Sequence, residues 1–191
     1  MFKKLVKANR SFRGYDESYQ IPRAQLLSFV DCARLAPSSG NVQPFKYFIA
    51  SEKESVGKIQ PLVKWAKALP ELELPRKGMA PTAFIVICQD LTIEKSVPRF
   101  QKDVGIVAQT ILLAATEKGL GGCMIGNYGA SMVKNALDFP DHMMPVLIVA
   151  LGKPKEKIIL TELEGDGSTA YYRDDQDVHY VPKRKLEDII L

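Results

Sequence analysis

Histidine is scarce in this chain: two among 191 residues, beside a single tryptophan and three cysteines. A metal centre built from imidazole and thiolate therefore lacks ligands. No Cys-x-x-Cys pair occurs, and His142 and His179 are not placed to complete a set. Cys32, Cys88 and Cys123 are odd in number, widely spaced and set among apolar neighbours. That pattern excludes a disulfide framework and predicts buried, reduced thiols in a cytoplasmic protein. Long apolar runs are missing too. No segment is long enough to span a bilayer, and Met1–Lys7 carries positive charge without the apolar core of a signal peptide. The expectation is a soluble chain with no membrane partner.

Several ligand-binding and catalytic signatures are absent as well. Gly119-Leu120-Gly121-Gly122-Cys123-Met124 ends in methionine where a dinucleotide fingerprint needs glycine, and it follows a helical pattern rather than a strand. Gly152-Lys153 is followed by proline and lacks the earlier glycine of a Walker loop. No serine sits in a Gly-x-Ser-x-Gly elbow. These absences argue against Rossmann, P-loop and α/β-hydrolase sites.

What the chain does have is the apolar content, 46%, and charged content, 25%, of an ordinary globular protein, with length for one domain and a substantial core. The net charge of +4 is concentrated at the ends, in Lys3, Lys4, Lys7, Arg10 and Arg13 and again in Lys183, Arg184 and Lys185. Such clusters serve either as a solvated face or as a site for a small polyanion such as a nucleotide phosphate. A nucleic-acid surface would need interleaved aromatics, and these ends offer only Phe2, Phe12 and Tyr180.

Periodicity supplies the elements. Pro22 opens a helix reaching about Leu35, and Phe45–Ala50 reads as a strand. Ser51-Glu52-Lys53-Glu54 has the form of a capping box for a helix carrying Val56, Ile59, Leu62 and Val63, bent at Pro61. Leu69–Pro81 reads as a loop, and Thr82–Cys88 and Pro145–Leu151 as buried strands. Asp103–Lys118 repeats apolar residues at helical spacing and stops at Gly119, while Ser131 is expected to cap a short helix through Leu137. Lys155–Gln176 reads as polar and irregular, and Val178–Leu191 as an edge segment or extended arm. Three strands and several helices without βαβ alternation predict an α+β fold, one sheet with helices packed on it.

The densest polar stretch is Ala36-Pro37-Ser38-Ser39-Gly40-Asn41-Val42-Gln43-Pro44-Phe45, between the first helix and the first strand. Its hydroxyls and carboxamides suit the polar edge of a planar heterocycle or a polyol chain. They equally suit an αβ loop that satisfies its own backbone. Three further segments accompany it: Asn9-Arg10-Ser11-Phe12-Arg13, Lys118–Asn127 with its three glycines before Ile125-Gly126, and Tyr180-Val181-Pro182-Lys183-Arg184-Lys185.

In this order and spacing, from about Asn9 to the C-terminus, the chain resembles the nitroreductase family of FMN-dependent oxidoreductases. The resemblance implies a mixed β-sheet with packed helices across a single flavin-binding domain, residues 1–191. It also implies an intertwined homodimer in which the C-terminal arm of one subunit joins the sheet of the other. A segment unable to bury Val178, Tyr180 and Val181 by itself agrees with such an arm. By motif, Arg10 and Ser11 correspond to phosphate and ribityl contacts, with Lys183 and Arg184 as a C-terminal phosphate clamp. Arg13 corresponds to a cation beside N1 and O2 of the flavin. Asn41 and Gln43 correspond to contacts with the pyrimidine edge or the ribityl hydroxyls, Ser38 and Ser39 to the ribityl chain or the neighbouring subunit's flavin, with Pro37 beside them in the cofactor-binding loop, and Ile125 and Gly126 to the N5 edge. Gly121-Gly122 reads as this ligand edge or simply as a tight turn from helix to strand.

The implied chemistry needs no side-chain nucleophile, since the cofactor carries it. The partners would be NAD(P)H and a small oxidised acceptor, a quinone or nitroaromatic, served in turn at one flavin face in a ping-pong cycle. The family's tryptophan is replaced by Phe45, and the segment expected to shape the acceptor pocket, about Trp65–Pro81, is short. A flavin-binding sensor or carrier with little turnover is the alternative.

Overall fold

The two apolar runs become neighbours in the middle of a sheet. In the computed structural model, which describes residues 1–66, 72–164 and 167–191, strand β2 (Ala83–Asp90) pairs antiparallel with β4 (Met143–Gly152), Ala83 opposite Leu151. Strand β1 (Phe45–Ala50) flanks β2 and β3 (Gly121–Ile125) flanks β4, giving the order β1-β2-β4-β3 with every pair antiparallel. Alternate residues of a strand point to opposite faces. Ile85 and Ile87 accordingly pack with Leu26 and Phe29 of α2 (Arg23–Arg34) and Ile111 of α4 (Gln101–Glu117). Phe84 and Val86 pack on the other face with Ile59 of α3 (Lys53–Ile59) and Val133 of α5 (Ala130–Ala136). Covered on both faces, all eight residues of β2 are buried.

Local chemistry fixes the ends. Helix α4 closes with Gly119 at φ +72°, where a side chain is disfavoured, and the Leu120 amide donates back to the Ala115 carbonyl at 3.0 Å. The expected turn at Pro61 is present as a 3-10 segment, Gln60–Leu62, directly after α3. Two caps differ from expectation. Glu52, not Ser51, precedes α3, and no side chain caps it; the Ser51 hydroxyl is buried without a partner. Ser131 lies inside α5, which starts after Gly129. A first helix, α1 (Phe2–Ala8), was not expected; it is seven residues long and buries none of them, Phe2, Leu5 and Val6 included. Cys88 and Cys123 are buried as expected, but Cys32 is exposed on α2.

The larger correction concerns the C-terminal third. Lys155–Gln176, read as irregular, contains β5 (Ile158–Glu162) and β6 (Tyr172–Arg173). Strand β7 (His179–Lys183) pairs in parallel with β5 and antiparallel with β6, forming a second sheet of order β5-β7-β6. The described residues therefore hold seven strands in two sheets rather than three in one. Val178 is buried and Tyr180 and Val181 are half-buried within the same chain, so these residues do not by themselves require a partner. Of the expected loop Leu69–Pro81, residues 69–71 lie outside the described residues, and 72–81 form neither helix nor strand. No helix among the described residues is long and apolar enough to cross a membrane.

Candidate functional site

The arginine-bearing segment Asn9–Arg13 is docked onto the edge of β3. Ser11 bridges in parallel to Gly122, and the Phe12 amide donates to the Gly122 carbonyl at 3.0 Å. This approach requires glycine. A Cβ on Gly121 would overlap the Phe12 ring, and one on Gly122 would overlap the Ala150 carbonyl and crowd Leu112. Gly121 and Gly122 are therefore a packing feature at the start of β3, not a tight turn. The Tyr15 hydroxyl donates to the Phe12 carbonyl at 2.6 Å, and the Arg13 amide donates to the Glu156 carboxylate.

Held this way, Arg10, Ser11 and Arg13 line a cavity of about 340 Å³, within the usual range for small-molecule sites. Gln109 and Leu112 of α4 form another wall. The second sheet closes it: His179, Val181 and Lys183, alternate residues of β7, all face in, with Ile158 and Tyr171 beside them. The Arg10 guanidinium donates to the Val6 carbonyl at 2.9 Å through Nη2, while its Nε is buried with no partner. Burial lowers its pKa from the ordinary value. The Arg13 guanidinium lies 5.2 Å from the Tyr171 ring centroid.

A second cleft of about 190 Å³ shares Arg13, Met124 and Tyr171 with the first, and adds Lys64, Trp65, Ile125 and Gly126. Gly126 is unlike Gly121 and Gly122. A Cβ there would meet nothing within 4 Å, and its φ is not in the left-handed region. Neither packing nor backbone conformation demands glycine at that point, which leaves room for a flat ligand to approach the backbone.

Pro37, Ser38 and Gln43 line a third, separate depression of about 120 Å³ with Asp103 and Val107 of α4. Here the serines are already engaged. Ser38 Oγ donates to the Asp103 carboxylate at 3.0 Å, and Ser39 donates to it from its amide at 2.6 Å and its hydroxyl at 2.7 Å. Burial pushes the Asp103 carboxyl up, but these hydrogen bonds outweigh it and hold the pKa below the usual range. The Gln43 carboxamide donates to Asn41 Oδ1 at 3.0 Å. Gly40, Asn41 and Gln43 all have φ between 52° and 60°, so the anchored loop holds two non-glycine residues in the left-handed region.

Of the residues expected from sequence, Arg10, Ser11, Arg13 and Lys183 thus converge in one cavity, and Ile125 and Gly126 join them through Arg13. The Pro37–Gln43 loop does not line that cavity, and Arg184 is exposed and does not line it either. Tyr171 and His179 were not expected: Tyr171 is a lone ring in a segment read as irregular, and His179, in the segment read as an edge or arm, was weighed only as a metal ligand. Burial pushes the Cys88 thiol up to about 12 and raises that of Cys123, so neither is poised as a thiolate nucleophile. No cluster of three metal-ligating side chains occurs among the described residues.

A cation-lined cavity opening through Arg13 into a glycine-edged cleft bordered by Lys64, on an α+β sheet, defines a site suited to a phosphorylated planar ligand. The chain belongs to the nitroreductase family, whose model matches residues 6–153. A protein of Methanothermobacter thermautotrophicus, provisionally named an NADH dehydrogenase/NAD(P)H nitroreductase, is 28% identical over 155 residues, covering 79% of this chain and 76% of that protein. The crystal structure of a nitroreductase family protein from Clostridium difficile 630 superposes with a TM-score of 0.65 at 25% identity, covering 82% of this chain and 86% of the other. A protein of Exiguobacterium sibiricum 255-15, provisionally named a nitroreductase and solved in complex with FMN, superposes with a TM-score of 0.66 at 21% identity, covering 82% and 89%.

Proposed function

We propose that this chain is an FMN-dependent NAD(P)H oxidoreductase of the cytoplasm, built as one domain, that reduces a quinone, nitroaromatic or similar small acceptor by a ping-pong cycle. The observation that carries the reading is the convergence of Arg10, Arg13 and Lys183 with Ser11 on one cavity, where the Arg10 Nε has no protein partner. FMN, when bound, supplies the hydride chemistry at its N5. The chain's own residues bind and orient. Arg10, Ser11 and Lys183 meet the phosphate, for which guanidinium and ammonium groups are the strong partners. Arg13 offers a fixed positive charge toward the pyrimidine side, where it favours the reduced, anionic form. The Ile125–Gly126 backbone leaves the reactive edge uncovered, and Trp65 and Lys64 border the space left for nicotinamide or acceptor.

The active unit in this reading is a homodimer. Its support is the separation of the Pro37–Gln43 loop from the cavity of its own chain, which leaves Asn41 and Gln43 to serve the partner's flavin. Beyond β7, Leu186, Ile189, Ile190 and Leu191 are exposed apolar residues, and they are the part of the chain left to act as an exchanged arm. Arg184, exposed beside them, would complete a phosphate clamp from that position.

The test is an anaerobic absorbance spectrum of FMN-reconstituted protein before and after NADH or NADPH. Bleaching within seconds is expected. A bound flavin that stays oxidised with both donors would replace the enzyme with a flavin-holding sensor or carrier. No bound flavin would remove the proposal.

A further inference from the structure

His179 lines the cavity with two ring nitrogens that are both buried and without a protein partner. It is 2% exposed, and its backbone amide donates to the Lys157 carbonyl at 2.9 Å. Buried polar atoms are almost always bonded, and two orphans on one ring carry a free-energy cost unless something completes them. The surrounding charged groups do not bond to it: Arg173 and Asp177 turn to other partners, and Arg173 Nε is itself buried without one. Arg173 is paired with Glu156 and with Asp177, and Asp177 with Arg76. Tyr171 meets the imidazole edge to face at 5.2 Å, through its ring rather than through a hydrogen bond.

We infer that His179 is a ligand-contacting residue, which offers one ring nitrogen, as hydrogen-bond donor or acceptor, to the heteroaromatic edge of a bound phosphorylated ring compound. The inference rests on the flavin reading above and adds to it the residue that reads the ring. Three facts locate the contact at the ring rather than the phosphate. Arg13, Tyr171 and His179 lie in series, the guanidinium 5.2 Å from the Tyr171 ring centroid and the imidazole edge to face with that ring at 5.2 Å. Lys183 lies four residues further along the same face of β7, roughly 13 Å away at strand rise. A phosphate calls only for donors, whereas an imidazole without its second proton has one donor and one acceptor.

The imidazole is held in that form by its setting. Burial, then Arg173 and Arg13, lower its pKa from 6.5 to about 4, against an opposing effect of Asp177. Arg10, Arg13 and Lys183 already make the cavity cationic, so a neutral ring contributes discrimination where a fourth charge would contribute only attraction. An edge that carries carbonyl acceptors and a ring N–H donor, as the pyrimidine half of an isoalloxazine does, offers a partner to either face of the imidazole's hydrogen bonding, its N–H or its unprotonated nitrogen.

With only two histidines in the chain, the imidazole resonances are easily assigned by comparison with His179→Gln. Saturating the wild-type protein with FMN should shift the His179 ring signals. His179→Leu should weaken FMN and riboflavin alike, each by about tenfold. His179→Gln, which keeps a donor and an acceptor, should recover most of that loss. Lys183→Ala, in contrast, should weaken FMN alone. Unmoved ring signals at saturation, or a His179→Leu loss confined to FMN, would overturn the inference and leave the flavin reading standing. Failure of the wild type to bind either flavin would overturn both. Should His179→Leu not fold, the wild-type spectra decide.

Discussion

Every residue of β2 is buried, whereas β5 buries none. The two strands stand for two sheets held by different forces. The four-stranded sheet is sealed between helices by apolar side chains, with Phe84, Ile85, Ile87 and Ile148 fully enclosed. The three-stranded sheet is fastened by charge. Glu156 takes the Arg13 amide and the Arg173 guanidinium, Arg173 also meets Asp177, and Asp177 receives two hydrogen bonds from Arg76 at 2.8 and 2.9 Å. The first sheet is a scaffold. The second forms a wall of the cavity, and its ionic fastening reaches back to the backbone of a site residue. A hydrophobic core can be uniform, but a wall that meets a polar ligand has to carry polar groups and satisfy them.

The sharpest way to break the contrast is Glu156→Ala. Both partners of the Glu156–Arg173 pair are about 95% buried, so removal leaves the guanidinium with only its Asp177 contacts, at a cost of up to about 3–5 kcal/mol. Amide hydrogen exchange should show protection lost in β5–β7 while β2 and β4 stay protected. Equal loss in both sheets would mean that they form one cooperative unit. A smaller effect comes from acid. His179 titrates at about 4 in the folded chain against an ordinary 6.5, so between those values the unfolded chain binds a proton that the folded chain refuses. The stability contributed by this site is complete above about pH 6.5 and falls as the pH drops toward 4. Urea midpoints measured down this range should decline more steeply for the wild type than for His179→Gln; parallel curves would place the acid sensitivity elsewhere. The smallest effect belongs to Arg76→Ala. Its pair with Asp177 is substantially exposed on both sides, 44% and 36%, and such pairs contribute about 0–1 kcal/mol. The change should vanish at high salt, and a persistent loss would make this contact a structural clasp rather than a surface pair.

The same contrast explains what could be read from the amino-acid order. Thr82–Cys88, Pro145–Leu151 and Asp103–Lys118 announce themselves because burial writes a local apolar pattern, and all three correspond to observed elements within two residues. Ile158–Glu162 does not, since its stability comes from pairing with residues about twenty positions away and from contacts such as Arg76 with Asp177, 101 positions apart. The capping box failed for a related reason: whether Ser51 turns toward the helix or inward is set by what surrounds it, not by the residue three places on. At the site, Arg10, Ser11, Arg13 and Lys183 were visible as types at spacings, while Ser38 and Ser39 were visible but not their engagement by Asp103. His179 was invisible because its significance lies in what fails to touch it.

Gly121 and Gly122 have a consequence for inheritance. Every single-base missense change in a glycine codon gives a residue carrying a Cβ, and at these two positions a Cβ overlaps Phe12 or the Ala150 backbone. No missense step leads away from either glycine without pushing the Arg10–Arg13 segment off its sheet edge or parting β3 from β4. A lineage can vary Lys183 or Trp65 gradually and sample new ligands as it does so. At 121 and 122 it has no adjacent alternative, so the anchorage of the site is frozen while its walls stay free to drift.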